Sequence, residues 1–199
     1  MRQGVELLWI PLGAGSRLPV VRASGWLYET LAAARDRRPR RSIFHAALRV
    51  WLEDTWYAIE MAPAWGAGAH GPAVVVGPVG LRALGRYRAF RYQVRCRERG
   101  TIPDASSAVG GPVWLSDRPE AARRLLDAVP DTPALTWGRD DLRTGAMWNS
   151  NSLIAWLITR AGLDAATVHP PQDGRAPGWR SGVVAAQANA STGGHEQTR

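Results

Sequence analysis

The first apolar run, in "GVELLWIPLGAG", is short and ends at a proline and a glycine turn, which predicts a buried strand. "GWLYETLAAARDRR" changes to helical spacing, and its basic end suits a helix C-terminus, with Pro39 just beyond. "SIFHAALRVWL" and "WYAIEMAP" then read as two strands joined by Glu53-Asp54-Thr55, the clearest hairpin signal in the chain. "AWGAGAHGPAVVVGPVG" reads as a glycine-rich loop around a short valine strand, and the alternation in "RYRAFRYQVRCRE" predicts another strand. "DRPEAARRLLDAV" is an amphipathic helix with Pro119 near its first turn, "TPALTWG" a short strand, and "SNSLIAWLITRAG" a helix closed by Gly162 after Arg160. "HPPQDGRAPGW" is a rigid loop, and no internal repeat is visible. From about Ala185 the chain turns polar and low in bulk, so residues 185–199 are expected to be a disordered tail on a single domain over 1–184. This order predicts an α+β fold, one antiparallel sheet packed against helices.

Composition narrows the picture modestly. A chain of 199 residues can bury a core without disulfides or metal. All 25 basic residues are arginine and the net charge is +8, a balance that suits anionic partners. The arginines are scattered, with the densest run in "ARDRRPRR" and a weaker one in "GRYRAFRYQVRCRER". No zinc-ligand spacing, recognition helix or base-stacking sheet motif accompanies them, so no specific nucleic-acid partner is expected. The single cysteine, Cys96, excludes an internal disulfide and a cysteine-based zinc site and reads as a structural strand residue. No stretch has the length of a membrane span and no cleavage site follows the first strand, so a cytoplasmic protein is expected. Neither a cofactor nor a metal is implied, and the oligomeric state is left open.

Candidate chemistry starts from the histidines. His195 lies in the tail, and His70 and His169 lie in loops without an acid nearby. His45 stands near the start of a strand, between Phe44 and two alanines. On the other strand of the hairpin, Glu60 is an acid in an apolar run, where a carboxylate is either paired or turned to solvent. A two- or four-residue turn puts Glu60 on the face of His45; a three-residue turn puts it on the opposite face. The third element is "MWNSNSLIAWL". Helix starts need one capping residue, and this one offers Asn149, Ser150, Asn151 and Ser152 after Trp148. A hydroxyl there also meets free amides and the positive helix end, which stabilise an oxyanion, provided that a base such as His45 takes its proton.

In this arrangement the chain resembles the permuted papain-like proteins, of the lecithin:retinol acyltransferase-like and permuted NlpC-type thiol-hydrolase kind. "FHAALRV" resembles that family's histidine strand, "YAIEMAP" its second strand with Glu60 at the polar position, and "NSNSLIAWLITRAG" its nucleophile helix. Ser150 stands in the place of the family's cysteine and Ser152 in that of its histidine. The resemblance spans Phe44 to Gly162 in order, although only about thirty residues carry it. It implies a permuted papain-like sheet and acyl transfer on an ester or amide through Ser150, His45 and Glu60, with Asn149, Asn151, Ser152 and Trp148 flanking the site. The hydroxyl is the main departure: a thiol ionises beside histidine, whereas a serine must lose its proton during attack.

Two functions follow from this reading. One is a hydrolase or acyltransferase acting on a small-molecule, lipid or peptide substrate. The other is a catalytically inactive descendant, a ligand-binding or structural module reading its ligand through tryptophans (Trp51, Trp56, Trp65, Trp148 and Trp156) and through arginines. A weaker third reading is an anionic-surface binder working through the two arginine-rich runs.

Overall fold

Strands buried on both faces at the centre build a single six-stranded antiparallel sheet. The computed structural model describes residues 3–14, 29–65, 73–102 and 104–193. Its strands are β1 (Gly4–Pro11), β2 (Phe44–Leu52), β3 (Thr55–Pro63), β4 (Val75–Pro78), β5 (Arg91–Glu98) and β6 (Val113–Ser116), ordered β4-β5-β3-β2-β1-β6. The helices are α1, helical over 29–35, α2 (Pro119–Ala128), α3 (Ser150–Arg160) and α4 (Trp179–Gly193).

Two side-chain sets leave the sheet in opposite directions, as the strand repeat of two requires. Val5, Leu7 and Trp9 of β1, Phe44, Ala46 and Leu48 of β2, and Ile59 and Met61 of β3 enter the main core. There they meet Leu125 of α2, Leu153, Trp156 and Leu157 of α3, and Ala185 and Ala186 of α4. The other face holds a smaller apolar cluster, Leu8, Ile10, Ala47 and Ala58 under Ile102, with Ala105 and Ala108 against it from the connection before β6.

The hairpin turn has two residues, because Leu52 pairs with Thr55. Glu60 and His45 therefore share a face, the one away from α2 and α3. The β2–β3 ladder runs only from Leu52–Thr55 to Leu48–Ile59, while β3 stays paired with β5 out to Pro63–Tyr92. The two strands thus fork beyond Leu48. On that edge of β2 the Ala46 amide donates to Asn151 Oδ1 (2.8 Å) and Asn151 Nδ2 donates to the Phe44 carbonyl (3.0 Å). Farther along, the Phe44 amide donates to the Arg175 carbonyl and the Arg175 amide to the Ser42 carbonyl, both at 2.8 Å. One strand edge is completed in turn by a strand, a side chain and a loop.

Three expectations are corrected. "RYRAFRYQVRCRE" becomes strand only at Arg91; residues 82–90 form two short 3-10 turns, because the alternation of arginine and aromatic residues there has no buried side to face. "TPALTWG" makes no strand: only Trp137 forms isolated bridges, to Val79 and Trp148, with Pro133 unable to donate a rung. The expected tail is helical as far as Gly193, since Ala185 and Ala186 bury against the core; small side chains let α4 pack closely on α3. Residues 194–199, His195 and His70 lie outside the described residues.

Candidate functional site

The opening of α3 is organised by hydrogen bonds that leave little to spare. Asn149 is the N-cap: its Oδ1 accepts from the amides of Asn151 (2.9 Å) and Ser152 (3.3 Å), and its own amide donates to Ser152 Oγ (3.1 Å), a capping box. Its Nδ2 donates to the Pro177 carbonyl (2.9 Å). Asn151, 3% exposed, is the wedge in the β2–β3 fork and also donates to Pro177 (3.0 Å). Ser152 Oγ, wholly buried, lies 2.7 Å from the Gly178 carbonyl and donates to it. Gly178 has φ +86°, and a Cβ there would come within 2.6 Å of Asn149 Oδ1 and of the Met147 carbonyl. Asn149, Asn151 and Ser152 thus fasten α3 to β2 and to the loop before α4. Trp148 is core, its backbone paired with Gly138 and Arg139.

Ser150 is the exception. It is half-buried, and its hydroxyl makes no hydrogen bond to any described residue. It directly precedes Asn151, whose amide spans the main chain on both sides of His45, so the fork brings Ser150 and the His45 backbone into one neighbourhood. The His45 side chain alternates away from the α3 face and makes no hydrogen bond among the described residues. Burial pushes the imidazole pKa down, against a smaller opposing pull from Asp104.

Glu60 has another partner. The β3–β5 register sets it directly opposite Arg95, and Arg95 Nη1 approaches Glu60 Oε1 at 3.5 Å. Arg95, 2% exposed, also donates to Gln93 Oε1 (3.2 Å) and to the Pro63 carbonyl (3.3 Å). Burial raises the Glu60 carboxyl above its ordinary value despite the charges of Arg95 and Arg97. Sequence reasoning left the facing of Glu60 to the turn length, which the two-residue turn settles on the face of His45, and it missed Arg95 and Asp104. The available signal for Arg95 was the polar parity of Arg91, Gln93, Arg95 and Arg97 along β5; Asp104 gave none beyond lying in a loop.

A groove of about 500 Å³ opens beside this junction, lined by Val168, His169, Pro170, Arg175, Trp179 and Arg180 among others. Trp179 Nε1 donates to the Ala165 carbonyl (2.8 Å), and its ring packs 5.2 Å from that of Trp9. Arg175 pairs with the buried Glu29 (3.1 Å), which also takes bonds from Arg38 (2.5 Å) and the Arg41 amide (2.9 Å). Arg180 is exposed and makes no ion pair with a described residue. Among the described residues no three His, Cys, Asp or Glu side chains are grouped to hold a metal, and no helix is long and apolar enough to cross a membrane.

The fold is that of an α+β protein whose antiparallel sheet carries helices on one face and a helix N-terminus in a split between two strands. No family model, no curated protein and no solved structure matches the chain.

Proposed function

We propose that the chain is a permuted papain-like domain whose catalytic positions have been turned to structural use, and that it acts as a binding module for a small ligand that is part anionic and part apolar. The observation carrying this reading is the set of bonds at the start of α3. The amides of Asn149, Asn151 and Ser152, which would otherwise serve an oxyanion, are bonded within the cap, and Glu60 is bonded to Arg95 rather than to His45. The groove offers Arg180 and His169 for an anionic group and Val168, Pro170 and Trp179 for an apolar one. Titrating decanoate and N-acetyl dipeptides against the intrinsic tryptophan emission, with Trp179→Phe as the control, tests it. Saturable quenching that disappears in Trp179→Phe, without turnover of ligand, is expected; no saturation at millimolar probe overturns the reading.

The second reading is the acyl-transfer enzyme, with Ser150 as nucleophile, His45 as base and Glu60 as the orienting acid on an ester or amide. It is favoured by the unbonded Ser150 hydroxyl at the positive end of α3, although the His45 side chain leaves β2 on the face away from that helix and would have to reach round the strand edge to serve it. Hydrolysis of p-nitrophenyl esters that is lost in Ser150→Ala and in His45→Gln would establish it in place of the first.

A further inference from the structure

Between Glu60 and Glu98 the sequence contains six arginines and neither Asp nor Glu. The fold uses two of these arginines internally: Arg95 bonds to Glu60, and Arg97 has a partner of its own. The other four, Arg82, Arg86, Arg88 and Arg91, pair with no carboxylate among the described residues. Among the described residues Arg88 and Arg91 donate to main-chain carbonyls alone, of Ala64, Gly85 and Arg86. The segment from Leu81 to Phe90 is exposed along most of its length. The nearest carboxylates in sequence across the Gly80–Arg139 contact, Asp140 and Asp141, accept from the amides of Thr144, Gly145 and Thr136.

The same surface is apolar as well as basic. Leu81 is 49%, Tyr87 50% and Phe90 42% exposed, and Trp65 and Val76 stand out beside them, held there by the Ala64–Arg91 and β4–β5 backbone bonds. Most of the exposed large apolar side chains of the described chain fall in this one block. Arg86 lies over the Tyr87 ring, 4.7 Å from its centre, so its cationic head and an aromatic body project together. A monomer gains nothing from such a patch unless something covers it.

We infer that this surface, the two 3-10 turns with the β4 edge, docks on a lipid bilayer bearing anionic headgroups. The arginines complement the negative surface, while Leu81, Phe90 and Trp65 enter the boundary between headgroups and acyl chains. Leucine and valine find no use against phosphodiesters, which places a bilayer ahead of a nucleic acid. Four uncompensated arginines repel a second copy of the same face, which places it ahead of edge-to-edge pairing through β4.

The test is flotation of the full chain with vesicles of phosphatidylcholine alone and of phosphatidylcholine with 30% phosphatidylglycerol, alongside titration of a fluorescent duplex oligonucleotide. Binding to the anionic vesicles alone is expected, weakening about a hundredfold in the variant Arg82→Gln/Arg86→Gln/Arg88→Gln. Leu81→Ser/Phe90→Ser is expected to lose at least tenfold. All five substitutions fall at exposed positions, and unchanged melting temperatures verify that both variants fold. Equal binding to both vesicle types, an unaffected arginine variant, or an unaffected Leu81→Ser/Phe90→Ser variant each overturns the proposal. So does oligonucleotide binding that displaces the vesicles, which would assign the surface to nucleic acid instead.

Discussion

Replacing Asn151 by alanine removes the side chain that completes β2 next to the fork. The Ala46 amide loses its acceptor at 2.8 Å and the Phe44 carbonyl its donor at 3.0 Å, both buried, whereas the Pro177 carbonyl keeps Asn149 Nδ2 as a donor. A buried polar main-chain group left without a partner costs about 1–3 kcal/mol, so the pair costs about 4 kcal/mol. For a protein of this size each kcal/mol lowers Tm by roughly 2–4 °C, and the expected fall is roughly 8–16 °C. Asn151→Asp keeps the acceptor for Ala46 but loses both donors and buries a charge, so it is expected to fall at least as far at neutral pH and to recover as the carboxyl protonates. Ser150→Ala, one residue away, touches no hydrogen bond and is expected to stay within about 0.5 kcal/mol of wild type. Calorimetry at pH 7 supplies the three Tm values, and hydrogen exchange over residues 44–48 locates the loss. If Asn151→Ala melts within 2 °C of wild type, or if Ser150→Ala falls as far as it does, the wedge is not what closes β2 and the reasoning fails.

Other substitutions probe separate parts of the structure. Burial alone would raise the Glu29 carboxyl, but the Arg38 and Arg41 hydrogen bonds and the Arg175 charge together lower it. Its contribution is therefore complete above the unfolded value of about 4.3 and lost as pH falls through the lower folded one. Glu29→Gln should be less stable by about 2–4 kcal/mol at pH 7, with a difference that shrinks below pH 4 in urea titrations; a difference independent of pH would refute the charge argument. The Cys96 thiol is pushed up to about 11 by burial, so its thiolate fraction at pH 8 is roughly two hundredfold below that of an ordinary cysteine. Native protein should react with iodoacetamide slower than urea-unfolded protein by at least that factor. Gly178→Ala meets both a positive φ and two oxygens at 2.6 Å and should cost more than about 2 kcal/mol. Gly110→Ala, with φ +77° but open space, should cost only about 1 kcal/mol, and equal melting of the two variants would contradict the packing at Gly178.

Much of the sheet could be read from the chain because it is local. β1 is one apolar run, and the β2–β3 hairpin and α2 carry their own periods; the sequence leaves the turn length open, and it is the two-residue turn at Glu53 (φ +54°) and Asp54 that settles the facing of Glu60. The site resisted because its decisive contacts are distant in sequence. Glu60 meets Arg95 only once β3 lies beside β5, and no pattern within either strand announces that register. "NSNS" was legible as a cap with polarity to spare. That Asn151 is a strand-edge mimic and Ser150 the one unbonded member depends on where β2 and β3 part. The helix beyond Ala185 was hidden by its own smallness: Ala185 and Ala186 carry little hydrophobic signal but fit a narrow interface.

The handover along β2 also sets an order of events in time. Asn151 follows Ala46 by 105 positions, and Arg175 lies farther still toward the C-terminus. While the chain emerges from a ribosome, the hairpin forms early, but the 42–46 edge of β2 stays unpaired until α3 and the loop after it have been made. During that interval the nascent protein presents an open, apolar strand edge, the geometry that invites pairing with a neighbouring chain. A chain released before Asn151 would keep that edge open permanently. Quality control by chaperones and proteases would therefore discriminate sharply between molecules that include α3 and the loop after it and fragments that stop before Asn151.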